Sequence, residues 1–169
     1  MRPVTEHDIR ASFVNCSKGE AKRLDLPRDL ADLPWADLDF LGWRDPGAPE
    51  RAYLVAESDG ERDGPLVGIA LRVTSGAPRN FTTRSMCSLC LTTHTSGGVA
   101  LMTARRTGEA GRQGNSVGQY LCIDLACSLY TRGKREAAGG GVIDESLTLE
   151  EKIARIRAKL DAFLAKVVG

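Results

Sequence analysis

Cys87-Ser88-Leu89-Cys90, followed after thirty-one intervening residues by Cys122-Ile123-Asp124-Leu125-Ala126-Cys127, decides the reading of this chain. The first stretch is C-x2-C and the second C-x4-C. Two thiolates three positions apart wrap one cation from a tight turn, and a second close pair completes a tetrahedron. Zinc suits four sulfurs because it is borderline-soft and tolerates a closed tetrahedral site. Iron also accepts four thiolates and ranks behind zinc. Four thiolates leave no open coordination position, so the expected Zn2+ is a structural clip and not a reaction centre.

The flanks of the two pairs add geometry. The first pair precedes a predicted hairpin whose strands run over 98–103 and 116–121. Cys122 would leave the second strand, and Cys127 would sit in the first turns of a short helix over 124–131, closed by Gly133. A knuckle, a hairpin and a ligand-bearing helix together make a treble clef. The helix N-terminus directs partial positive charge at the thiolates. His94, four residues after Cys90, could replace one ligand; with four cysteines present it reads as a polar surface histidine. Cys16 has no partner left and reads as a small core residue, a redox-sensing thiol being the alternative.

Outward from the cysteines the pattern is mixed. Thr5 and Asp8 begin a short helix whose Ile9 and Phe13 share a face. Residues 33–43 read as irregular but anchored through Trp35, Leu38, Phe40, Leu41 and Trp43. Strands are predicted over 51–57 and 66–73, joined by a hairpin loop over 59–64. Residues 105–115 form a Gly- and Arg-rich connection. Ala137 to Gly141 reads as a flexible linker. Thr148 and Glu151 form a capping box. Leu149, Ile153, Ile156, Leu160, Phe163, Leu164 and Val167 follow it at helical spacing, a stripe expected to pack within the chain. The fold class is therefore α+β: a small antiparallel sheet, a treble-clef zinc finger and a long C-terminal amphipathic helix. Its expected parts are an N-terminal α/β part (1–80), the finger (81–135), a Gly-rich linker (136–146) and the C-terminal helix (147–169).

Composition bounds the function. Aromatics are 5% of the 169 residues, so aliphatic side chains must fill the core. No signal peptide and no membrane-length apolar run is present, which predicts a cytoplasmic protein without membrane association. Residues 1–71 carry net charge −5, residues 72–135 net +7 and residues 136–169 net −1. The basic segment contains the four cysteines and suggests an anionic partner, unless the acidic N-terminal part balances it. Arg105, Arg106 and Arg112, among the glycines of the 105–115 connection, are candidates for phosphate or RNA contact. Only two histidines occur, and neither lies in a nucleophile, metalloprotease or zinc-deaminase motif. No enzyme and no small-molecule substrate is indicated.

The residues Arg84 to Cys90, Gly114 to Lys134 and the opening Ser12-Phe13-Val14-Asn15-Cys16-Ser17-Lys18-Gly19-Glu20-Ala21 together resemble the FBP-type treble-clef zinc-finger family, in its stand-alone actinobacterial form. This finger is the C-terminal domain of fusidic-acid-resistance proteins that bind elongation factor G. The resemblance implies a translation-associated adaptor that grips elongation factor G through the finger, with Cys87, Cys90, Cys122 and Cys127 as zinc ligands. By position it implies partner contacts at Met86, Tyr130, Arg132 and Lys134. The resistance proteins carry a helical bundle before the finger, and this sequence does not suggest one. An RNA- or ribosome-binding zinc protein is the alternative function, and a thiol redox sensor a third.

Overall fold

The computed structural model describes residues 1–58, 64–74, 84–95, 97–139, 141 and 144–169. Its centre is an antiparallel five-stranded sheet in the order β1-β2-β3-β6-β7, formed by β1 (Leu41–Arg44), β2 (Arg51–Glu57), β3 (Leu66–Thr74), β6 (Val99–Arg105) and β7 (Ser116–Cys122). A separate two-stranded ladder, β4 (Ser85–Met86) with β5 (Thr93–His94), carries the first cysteine pair. Because β3 of the N-terminal part pairs with β6 of the finger, both share one sheet.

The sheet is covered on both faces where it is central. Leu54, Ile69, Leu71, Val73, Met102 and Leu121 face one side. Tyr53 and Val55 of β2, with Leu41 and Trp43 of β1, face the other. β2 therefore reads as a continuous apolar run from Ala52 to Ala56, as a strand buried on both faces should.

Two N-terminal helices cover the second face: α1 (Glu6–Ser12) and α2 (Lys18–Lys22). Each begins with a capping box, Thr5 with Asp8 and Ser17 with Glu20. The chain between them runs against β3. Val14 N–H donates to the Gly68 carbonyl at 2.9 Å. Gly68 permits this approach, because a Cβ there would lie 2.4 Å from Ser12 Oγ. Asn15 then closes the gap where β3 and β6 separate. Its amide donates to the carbonyls of Ala70 and Arg105, and its Oδ1 accepts from Ala70 N–H.

The first face is covered by α5 (Leu149–Val168) and the finger. The Thr148–Glu151 capping box forms as expected. Ile156, Leu160, Phe163, Leu164 and Val167 are buried against the sheet, which confirms packing within the chain; Leu149 remains exposed. The far end of α5 is capped by Thr107, whose N–H and Oγ1 donate to the carbonyls of Val167 and Val168. These bonds satisfy acceptors that a helix C-terminus otherwise leaves open.

Several expectations change. Residues 33–43 are not merely irregular: 3-10 turns over Leu30–Asp32 and Trp35–Asp37 lead into edge strand β1. The 105–115 connection contains a short helix, α3 (Gly108–Arg112). The described part of the Gly-rich linker is tied down, since Gly141 exchanges backbone hydrogen bonds with Thr93 and Thr95 Oγ1 donates to the Ala138 carbonyl. The loop expected over 59–64 lies outside the described residues except for Gly64.

Candidate metal centre

Cys87 and Cys90 sit in the turn that joins β4 to β5. Cys87 N–H donates to the Thr92 carbonyl, and Leu91 N–H returns to the Cys87 carbonyl, both at 3.0 Å. Leu91 takes φ +60, left-handed backbone that a leucine seldom adopts. Leu125, inside the second pair, takes φ +56. Both strained residues lie in the segments that bring sulfur to the centre, which is where backbone strain collects.

β7 delivers Cys122, and α4 (Cys127–Thr131) begins at Cys127. The four Sγ atoms lie within 4.8 Å of one another. Cys87 Sγ is 3.6 Å from Cys127 Sγ, and Cys90 Sγ is 3.5 Å from Cys122 Sγ. Zinc–sulfur bonds of about 2.3 Å in a tetrahedron imply sulfur–sulfur edges of about 3.8 Å, so the donor set fits one zinc ion. None of the four residues is more than 2% exposed, and none is in a disulfide.

The thiols compete for negative charge. Hydrogen bonding from Cys122 holds Cys87 and Cys90 below the usual thiol range. The same sharing with Cys122, together with burial, pushes Cys127 up. Such a cluster ionises fully only around a cation.

A polar layer surrounds the sulfurs. His94 is 5% exposed, so it is not a surface histidine. Its Nε2 lies 3.3 Å from Cys122 Sγ, and its ring meets Tyr130 edge-on with centroids 4.8 Å apart. Tyr130 in turn donates its hydroxyl to Asp124 Oδ2 at 2.7 Å. Burial first, and then this bond, push the Tyr130 phenol well above its ordinary range. Asp124 Oδ1 accepts from Ala126 N–H, and Arg135 pairs with Asp124 at 3.3 Å. Outer groups of this kind orient metal ligands and tune their basicity.

These observations meet in one finding: the FBP C-terminal treble-clef zinc-finger family model matches residues 8–167. The chain belongs to that family. No curated protein and no solved structure matches the sequence. In this FBP-type finger the match extends through α1, the sheet and α5, so the finger and its supports form one family unit. The centre takes Zn2+, held by Cys87, Cys90, Cys122 and Cys127. Held by these four thiolates, the ion would crosslink the β4–β5 turn, β7 and α4.

The other residues singled out in the sequence separate into two groups. Arg132 faces inward and forms a forked pair with Asp39, at 2.7 and 3.0 Å. Arg157 of α5 reaches the same carboxylate at 3.2 Å, and Ser128 Oγ accepts from Asp39 N–H. Tyr130 is 7% exposed. Met86 is exposed, and Lys134 is an exposed residue that pairs with Asp37 at 2.7 Å. Arg105 donates Nε to the Gly111 carbonyl, and Arg112 pairs with Glu109. Arg106 lies near Gly169 at the end of α5, with a buried Nε that has no hydrogen-bond partner among the described residues. Cys16 is half-buried on a cleft and not in the core; burial, then Glu20, push its thiol up.

Sequence reasoning did not find the roles of His94, Asp39 and Asp124. His94 carried a signal in its spacing from Cys90. Asp39 carried none, because its partners lie 93 and 118 residues away.

Proposed function

We propose that this chain is a non-enzymatic zinc-finger adaptor that binds a translation factor, elongation factor G, at or near the ribosome in the cytoplasm. The closed centre carries the reading. Four buried thiolates hold zinc as a crosslink, and a crosslinked finger presents a surface without doing chemistry. The family resemblance supplies the partner. Among the described residues no helix is long and apolar enough to cross a membrane.

The contact surface is best sought at exposed Met86 and Lys134, beside the finger. Tyr130 and Arg132 would act by holding that surface in shape, since both are committed inward. Size-exclusion co-elution of the zinc-loaded chain with purified elongation factor G tests the reading. The expected result is a stoichiometric complex, weakened about 5- to 30-fold by Met86→Asp or Lys134→Glu, the effect of losing an interface anchor. Failure to co-elute at any salt concentration overturns the proposed partner.

A further inference from the structure

At the other end of the β6–β7 hairpin lies a cleft of 1030 Å³. Arg105 pairs with Ser116 there, while Val99 pairs with Cys122 at the zinc end. Six residues of strand separate the two, about 20 Å. The floor of the cleft is sheet, and its walls are the Asn15–Arg23 segment and the connection that holds α3.

The floor is basic in an unusual way. Arg51 of β2 stands directly opposite Arg72 of β3. Arg72 stands opposite Thr103 of β6, which makes Arg105 its diagonal neighbour. Direct cross-strand neighbours are about 5 Å apart and diagonal ones about 7–8 Å, and like charges placed opposite one another destabilise a sheet. Arg72 is exposed and has no ion pair among the described residues. The nearest carboxylate to Arg51 is Glu50, at 4.0 Å. Arg23 adds charge at the wall, where Arg112 is already paired with Glu109.

The carboxylates that line the cleft are already engaged. Glu20 accepts from Ser17 N–H and Oγ. Asp45 accepts from Gly47 N–H, Ala48 N–H and the Tyr53 hydroxyl. Glu20 lies within reach of the charges of Arg23 and Arg51, so among the described residues the arginines of this row left without a carboxylate partner are Arg72 and Arg105. An anion is their missing complement.

The cleft continues onto open sheet. Along β6 and β7 the outward pairs are Arg105 with Ser116, Thr103 with Gly118, and Leu101 with Tyr120. From Leu101 to Arg105 is four residue steps, about 13 Å. At Gly118 the side chains of Leu101 and Thr103 form the surface, 3.1 and 3.4 Å from where a Cβ would lie, and Tyr120 is 45% exposed at the end of the track. Guanidinium forks match phosphate oxygens, and an exposed aromatic ring on a basic track is a platform for an unpaired base.

We infer that the Arg51–Arg72–Arg105 row and the track to Tyr120 bind single-stranded nucleic acid, with phosphates in the cleft and a base on Tyr120. The occupant is a polynucleotide and not a lone phosphate, because the arginines are spread along a line that ends at an aromatic ring. This surface is distinct from the finger face and does not depend on binding of a translation factor.

Fluorescence anisotropy with short labelled oligouridylate and oligothymidylate, over a salt series, tests the inference. Binding should weaken with salt at a slope of about −0.7 per phosphate contacted. Arg72→Ala should reduce that slope by about one contact, and Arg72→Lys should largely restore it. Tyr120→Ala should weaken binding roughly tenfold or more with the slope unchanged. Both side chains are exposed, and unchanged zinc content confirms that each variant is folded. Binding of either oligonucleotide with this pattern supports the site. No binding at low salt, a slope indifferent to Arg72→Ala, or displacement by polyglutamate or inorganic phosphate as effective as by unlabelled oligonucleotide overturns it. Co-elution of Arg72→Ala with elongation factor G reports separately on the finger face.

Discussion

Asp39 has a fully buried carboxylate; two arginines converge on it, and its own backbone N–H donates to Ser128 Oγ. Such a charge is tolerated only because Arg132 and Arg157 neutralise it. Removing the main partner leaves it uncompensated, so Arg132→Ala should cost about 3–5 kcal/mol in chemical denaturation. Replacing Asp39 by Asn, with Arg132 retained, should also destabilise the fold; an unchanged midpoint in both variants would show that the cluster contributes nothing. His94 poses a different question. Its ring sits against Cys122 Sγ, where an N–H would draw charge from the sulfur. His94→Phe keeps ring volume and loses the nitrogen. It should release zinc to a chelator faster, about 10- to 100-fold in affinity terms for a lost outer partner, with the far-ultraviolet circular dichroism of the loaded protein unchanged. Sequence could not expose the part of Asp39, because an ion pair across 93 residues has no local pattern; the cysteine ligands, and His94 four residues after Cys90, are marked by spacing.

Among the elements, α5 was the most legible and also the most consequential. Its stripe is periodic over five turns, its capping box is local, and both survive in the fold. Phe163 is 2% exposed, and Phe163→Ala should cost about 3–5 kcal/mol, measured as a shift in the urea midpoint with an unchanged slope. The start of α5 should respond to acid. The Thr148 backbone N–H, and then its hydroxyl, hold the Glu151 carboxyl below its ordinary range. Stability from that bond is present above the unfolded carboxyl value and is lost as pH falls through the lowered folded one. Amide protection factors at residues 149–152, taken relative to the intrinsic exchange rate at each pH, should therefore fall in mild acid, and Glu151→Gln should remove that dependence. Strand β1 and the β4–β5 ladder were hidden for the opposite reason. They span four and two residues per strand, too few for periodicity to register, and exist because neighbours pair with them. Gly42 shows how β1 is placed: a Cβ there would lie 2.5 Å from Leu125 Cβ in the second cysteine loop. Gly42→Ala should cost about 1–3 kcal/mol by overpacking this junction.

Across the whole molecule, the charge asymmetry of the sequence takes on a partly internal meaning. The acidic N-terminal part meets the basic finger directly, through Asp39 with Arg132 and Asp37 with Lys134. These pairs hold the two halves of the chain together around the shared sheet. What stays without a carboxylate partner among the described residues is Arg72 of β3 with its diagonal neighbour Arg105 of β6, and not the face beside Tyr130. The zinc, the Asp39 cluster and α5 then act on one body. Lys159 of α5 donates to the Ser88 carbonyl in the cysteine turn at 2.9 Å, and Ser88 N–H donates to the Tyr120 carbonyl of β7 at 2.8 Å. Loss of the metal should therefore propagate into the sheet and not remain confined to the knuckle, since the binding energy of a structural zinc is folding energy. Native mass spectrometry of the purified chain, before and after treatment with a strong chelator, reads occupancy and compactness together. The account predicts one zinc per chain in a compact, narrow charge distribution, replaced after chelation by metal-free, highly charged, expanded species. A metal-free chain that keeps the compact distribution would contradict it.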